Sequence, residues 1–125
     1  MNAATLTGEA RERLADYHVL AAYDARRVGR YGDMARSRRG RELDRLARAL
    51  THDGVPIDLG AKLTRAELAA AFDRVARPRI RRLMRETALV TLANGHELDR
   101  RTRYNGTSLD VWRELERDLG VEVTR

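Results

Sequence analysis

Cysteine is absent from this chain and lysine nearly so: Lys62 is the single lysine among 25 basic residues, and the other 24 are arginine. Without cysteine there can be no disulfide, thiolate metal site or cysteine nucleophile, and nothing marks the chain as secreted; a cytoplasmic protein is expected. Aromatic side chains are scarce, with one Trp, one Phe and four Tyr. The core must therefore come mainly from Leu and Ala, both strong helix formers. No window approaches the roughly 18 apolar residues that a membrane helix requires. The segment Met1 to Ala15 lacks the charged start and apolar run of a signal peptide. A soluble chain with no membrane partner is expected.

Chemistry-bearing motifs are missing as well. His18, His52 and His96 are far apart and lack the paired spacing of metal ligands. His52-Asp53 and His96-Glu97 can each be drawn as an acid–base pair, but adjacent loop residues rarely converge on a substrate, and no serine nucleophile motif accompanies them. No catalytic residue, metal or cofactor is expected, and the chain does not read as an enzyme. No Gly-Lys-Ser/Thr follows the glycines at 29, 32 and 40, so they do not form a nucleotide-binding loop.

What the chain does have is positive charge gathered into blocks. Residues 26–50 and 74–103 each carry a net +6, whereas 1–25, 51–73 and 104–125 each carry −2. A GC-rich genome would favour arginine over lysine, but it would not cluster the charges. The clustering points to an anionic partner.

At 125 residues with 42% hydrophobic content, a single helical domain spanning 1–125 is expected. Apolar periodicity predicts a helix from Glu9 to Val28 with Leu14, Tyr17, Ala21, Ala25 and Val28 on its buried face, ended by Gly29 and Gly32. Asp24 falls within that face, either paired with an arginine or marking a looser contact. A second helix runs from Ser37 to Leu50 with Leu43, Leu46, Ala47 and Leu50 inward. Thr51–Leu63, with Gly54, Pro56 and Gly60, reads as a loop. Thr64-Arg65-Ala66-Glu67 is a capping box, and Leu63 with Leu68 has the spacing of a hydrophobic staple.

Beyond Pro78 the apolar positions rotate by about 100°, so the proline is expected to break or kink the helix, with a fourth helix continuing to Ala93. Asn94-Gly95 is either that helix's end or a hairpin turn; the lone apolar residue of 96–103, Leu98, favours the helix end. A polar connector through Tyr104-Asn105-Gly106 leads to Thr107 and Asp110, which resemble a capping pair. The last helix buries Trp112, Leu115 and Leu119 and stops at Gly120. The expectation is a mainly α, compact bundle of about five helices, with a short C-terminal strand at Val121 and Val123 or a minor hairpin near residues 88–103.

Three arginine groups are candidate phosphate contacts. Arg74, Arg77, Arg79, Arg81, Arg82 and Arg85 fall within twelve residues with no acid among them. Arg74, Arg77, Arg81 and Arg85 share an arc of about 80° on a helical wheel. The bland alternative is that these arginines pair with acids from elsewhere, such as Glu114, Glu116 and Asp118. A second group comprises Arg26, Arg27, Arg30, Arg36, Arg38, Arg39 and Arg41, beside glycines that let backbone approach a polyanion, with Tyr31 available to stack on a base. Arg100, Arg101 and Arg103 precede the last helix. Nothing in the sequence brings the three groups together.

Two short stretches resemble known families. Leu46-Ala47-Arg48-Ala49-Leu50 followed by Gly54-Val55 is similar to the middle of a helix-turn-helix, but Thr51–Asp53 replace its tight turn. Leu63–Leu83 resembles a helical segment of the heat-shock chaperone ATPase domain, without that domain's phosphate-binding glycine loops. No residue role is carried over from either. The composition as a whole predicts a small DNA- or RNA-binding accessory or regulatory factor. The alternative is a non-enzymatic assembly subunit, of a virion or a multiprotein complex, that binds an acidic or helical protein partner. The last helix, with Trp112 and the valines beyond it, is a candidate homodimer seam.

Overall fold

The computed structural model describes residues 7–31, 37–94 and 100–120, with side-chain placement described at all of these except 30–31, 37–40, 59–61, 87–94 and 100–107. The described residues form four α helices, α1 (Gly8–Tyr31), α2 (Ser37–His52), α3 (Arg65–Asn94) and α4 (Arg100–Leu119), and a short 3-10 helix at Ile57–Lys62. No strand occurs among them.

Helix ends follow local side-chain chemistry. Thr7 caps α1, its hydroxyl accepting from the Ala10 amide at 3.2 Å. At the far end of α2, Gly54 adopts φ 74°, the left-handed conformation that closes a helix. The Val55 amide reaches back to the Leu50 carbonyl at 2.8 Å, and the Gly54 amide to Thr51 at 3.0 Å. Val55 and Leu50 are both buried, supplying the apolar contact that accompanies this motif. The 3-10 helix is tied down where His18 Nε2 lies 2.6 Å from the Ile57 carbonyl. The capping box opens α3 as expected: the Thr64 amide donates to Glu67 Oε1 at 3.0 Å, and the Glu67 amide to Thr64 Oγ1 at 3.1 Å. Leu63 is buried and Leu68 half-buried, at the two positions of the staple. Gly120, at φ 66°, ends α4.

Three cross-helix contacts fix the topology. Arg11 grips Glu67 through two bonds, of 2.7 and 2.5 Å, setting the starts of α1 and α3 side by side. Arg13 bonds Asp53 at 2.7 Å, joining the start of α1 to the end of α2. Gly120 lies against Arg65, so the end of α4 meets the start of α3. Helices α1 and α3 therefore run parallel, and α2 and α4 run the other way. One end of the bundle collects the starts of α1 and α3. The other collects the ends of α1 and α3 with the starts of α2 and α4.

The core is centred on Trp112 of α4. Tyr23 of α1 stacks on it with ring centroids 3.7 Å apart and planes at 13°, and Phe72 of α3 meets it edge-on at 6.2 Å. Such pairs contribute about 0.5–1.5 kcal/mol each beyond area burial. Leu14, Val19, Leu20, Leu50, Ile80, Val111 and Leu115 complete the shell.

Several expectations are corrected. Four α helices stand where five were expected, because Pro78 does not break α3, which runs unbroken through it. Proline removes one donor from the ladder; in the same turn the Arg79 guanidinium donates to the Val75 carbonyl at 2.6 Å. The hairpin alternative near residues 88–103 has no strand before Asn94, since α3 extends to Asn94. The polar connector at 104–106 is instead helical, and α4 already starts at Arg100, so Thr107 and Asp110 do not begin a helix. Gly29 lies inside α1 rather than ending it. The buried face of α1 is Leu14, Ala15, Val19, Leu20, Tyr23, Asp24 and Arg27, so of the expected members Leu14 is buried, Tyr17, Ala21 and Val28 are half-buried, and Ala25 is exposed. Periodicity did not include Arg27, because that member of the face is charged. The turn at Gly95, the stop at Gly32 and the C-terminal strand at Val121 and Val123 lie outside the described residues.

Candidate nucleic-acid interface

Among the described residues, the arginines of the +6 blocks divide into those that hold helices together and those that face outward. Arg26 pairs with Glu114 at 3.3 Å and with Asp118, both on α4. Arg27 is 1% exposed and donates to the buried Ser108 hydroxyl of α4. Buried Asp24 sits one turn before it on the same helix. Arg74 reaches Asp16 of α1 at 2.9 Å. Burial pushes the Asp16 carboxyl above its ordinary pKa, and the hydrogen bond from Arg74 draws it partly back. Arg79 pairs with Glu42 of α2.

Arg77 is the most heavily engaged. It pairs with Asp73 one turn back and with Glu116 of α4 at 3.3 Å, and its guanidinium lies 5.4 Å from the Phe72 ring centroid. Glu116 is 1% exposed and also receives Arg113 at 3.3 Å. A buried carboxylate needs such donors, because its desolvation would otherwise cost several kcal/mol, of order 3–5 once a partner is lost. The acidic segments of the chain thus supply counter-charges to the basic ones across helix interfaces.

Arg81, Arg82 and Arg85 are different. All three are exposed on α3 past Pro78, and among the described residues none has an ion-pair or hydrogen-bond partner. Because α3 is continuous, Arg74, Arg81 and Arg85 keep one helical register, within an arc of about 40°. Arg81 to Arg85 covers about 6 Å of the axis. They stand toward the end of the bundle that also receives the last turn of α1, with Arg30, and the first turns of α2 and α4, with Arg38, Arg39, Arg100, Arg101 and Arg103. The sequence left open whether its three arginine groups meet; helix direction brings the backbones that carry them to one end. The side chains of Arg30, Arg38, Arg39, Arg100, Arg101 and Arg103, the aromatic ring of Tyr31 and the whole of Arg36 lie outside the described residues.

The opposite end has another character. Glu67 is held at a pKa of about 2 by the Arg11 hydrogen bond first, then by the Thr64 amide. Asp53 faces Arg13, with exposed His52 at 3.5 Å.

Arg45 and Arg48 of α2 were not among the sequence candidates. Both are exposed and, among the described residues, without ion-pair or hydrogen-bond partners. Their spacing from Arg41, four and then three residues, was the available signal.

Among the described residues no cluster of His, Asp or Glu could hold a metal ion, and no helix is long and apolar enough to cross a membrane. No protein-family model matches the chain, and neither the curated proteins nor the solved structures contain a match.

Proposed function

We propose that this protein binds nucleic acid through the arginine-bearing end of its bundle, as a small, non-enzymatic accessory or regulatory factor of the cytoplasm. The observation that supports this most is the set Arg81, Arg82 and Arg85: three exposed guanidinium groups on one helix with no described carboxylate partner. In an ordinary solvated helix face they would be expected to follow Arg74, Arg77 and Arg79, which all found acids. Guanidinium matches phosphate in geometry and gains from charge-assisted bonding, so a polyanion is the natural complement.

The test is fluorescence anisotropy with duplex DNA, single-stranded DNA and RNA across a salt series. Each phosphate contact steepens the log–log salt dependence by about 0.9 on a duplex. Replacing Arg81→Ala and Arg85→Ala together should weaken binding and flatten that dependence. An unchanged slope would remove these residues from the interface. An acidic protein partner would instead show itself as negligible nucleic-acid affinity at physiological salt alongside tight protein binding.

A further inference from the structure

Helix α2 presents its three leucines and its arginines to opposite sides. Leu43, Leu46 and Leu50 face inward, Leu50 fully buried. Arg41, Arg45 and Arg48 are all exposed and fall within an arc of about 60°, diametrically across the helix from the leucines. His52, with an 89% exposed side chain, continues the same row. Asp44, exposed on the same helix, lies about 40° outside the arc. From Arg41 to Arg48 the row covers about 10 Å, over which one strand of a double helix offers about three phosphates.

We infer that the outward face of α2, carrying Arg45 and Arg48, is a second phosphate-binding surface, and that its ligand is the backbone of a nucleic-acid double helix. This rests on the nucleic-acid reading above and names the form of the ligand. Two features select a duplex over a single strand. Single-strand binding draws on base stacking against exposed rings, whereas among the described rings Tyr23, Phe72 and Trp112 pack on one another in the core and Tyr17 is half-buried against His18. The arginines of α2 and α3, moreover, sit on helices rather than loops. The Glu42–Arg79 ion pair ties α2 to α3 one turn before Arg82. The two rows therefore have a fixed relation, suited to the regular phosphate spacing of a duplex.

The experiment compares equal-length duplex DNA, duplex RNA and single-stranded DNA by anisotropy, using the full chain and three double variants. Arg45→Ala with Arg48→Ala removes the α2 row, and Arg81→Ala with Arg85→Ala removes the α3 row. Arg65→Ala with Arg117→Ala removes the same charge from the other end of the bundle. The inference expects duplex to be bound more tightly than single strand. It also expects the α2 variant to lose about 1.8 from the duplex salt slope, two contacts at about 0.9 each, while the Arg65/Arg117 variant keeps its slope. A fourth double variant, Arg45→Lys with Arg48→Lys, should keep most of the slope. Thermal melts by circular dichroism should match the parent, since both side chains are solvent-facing. An unchanged slope in the α2 variant, or an equal loss in the Arg65/Arg117 variant, overturns the inference while the α3 result stands by itself. Preference for single strand overturns the duplex assignment, and loss of binding on Tyr31→Ala would point the same way. Failure of the unmodified chain to bind any of the three overturns both readings together.

Discussion

The guanidinium group is chemically the same at Arg77 and Arg81, so their different roles come from what surrounds them. Arg77 has a buried carboxylate on the neighbouring helix, and Arg81 has solvent. Arg77→Met should therefore destabilise the fold by about 3 kcal/mol, the lower end for breaking a buried pair because Arg113 still reaches Glu116. Arg81→Ala should change stability by less than about 0.5 kcal/mol. Urea unfolding of the two variants checks both, and equal destabilisation would contradict the division. The acids Glu114, Glu116 and Asp118 were legible in the sequence as partners for the Arg74–Arg85 cluster. In the fold Glu116 does serve Arg77, but Glu114 and Asp118 serve Arg26. Charge tells which residues need a partner. Only the path of the chain decides which partner comes within reach.

Among the elements, α3 combines a strong start with a weak middle. Its capping box and the Arg11 clamp meet at Glu67, whose carboxyl is held at about 2 against an ordinary 4.5. A depressed carboxylate contributes stability that is complete above its unfolded pKa and is lost as pH falls through the folded one. Glu67→Gln should therefore remove part of the fall in stability between about pH 4.5 and pH 2, as read by unfolding at a series of pH values. Asp16 acts in the opposite sense: its raised pKa takes stability away as pH climbs from 3.8 toward the folded value. Pro78 is the weak point. It is exposed, so Pro78→Ala loses little packing and restores a donor for the Arg74 carbonyl. The variant should be more stable by about 1–3 kcal/mol, and an unchanged melting temperature would contradict that.

The capping box, the α2 stripe and the burial of Trp112 were readable because each is set by neighbours a few residues apart. The continuity of α3 was not. A proline and a rotated apolar face argue for a break, yet α1 and α4 both pack against α3 and bury more than one of its sides. The place of Arg27 on the inward face of α1 was hidden for a related reason, since it is buried by a tertiary hydrogen bond to Ser108 that no periodicity reveals.

At the scale of the whole molecule, parallel α1 and α3 with α2 and α4 running back convert charge blocks distant in sequence into a bundle of two unlike ends. Helix contents were legible, but direction was not, and direction is what brings the starts of α2 and α4 beside Arg81, Arg82 and Arg85. On the proposed function, the described arginines divide into those held by partners within the fold and those left for a polyanion. The most direct test is the salt slope of duplex binding for Arg26→Ala set against Arg81→Ala. The account predicts a slope unchanged by the first and lowered by about 0.9 by the second. Equal slopes for the two variants would contradict it.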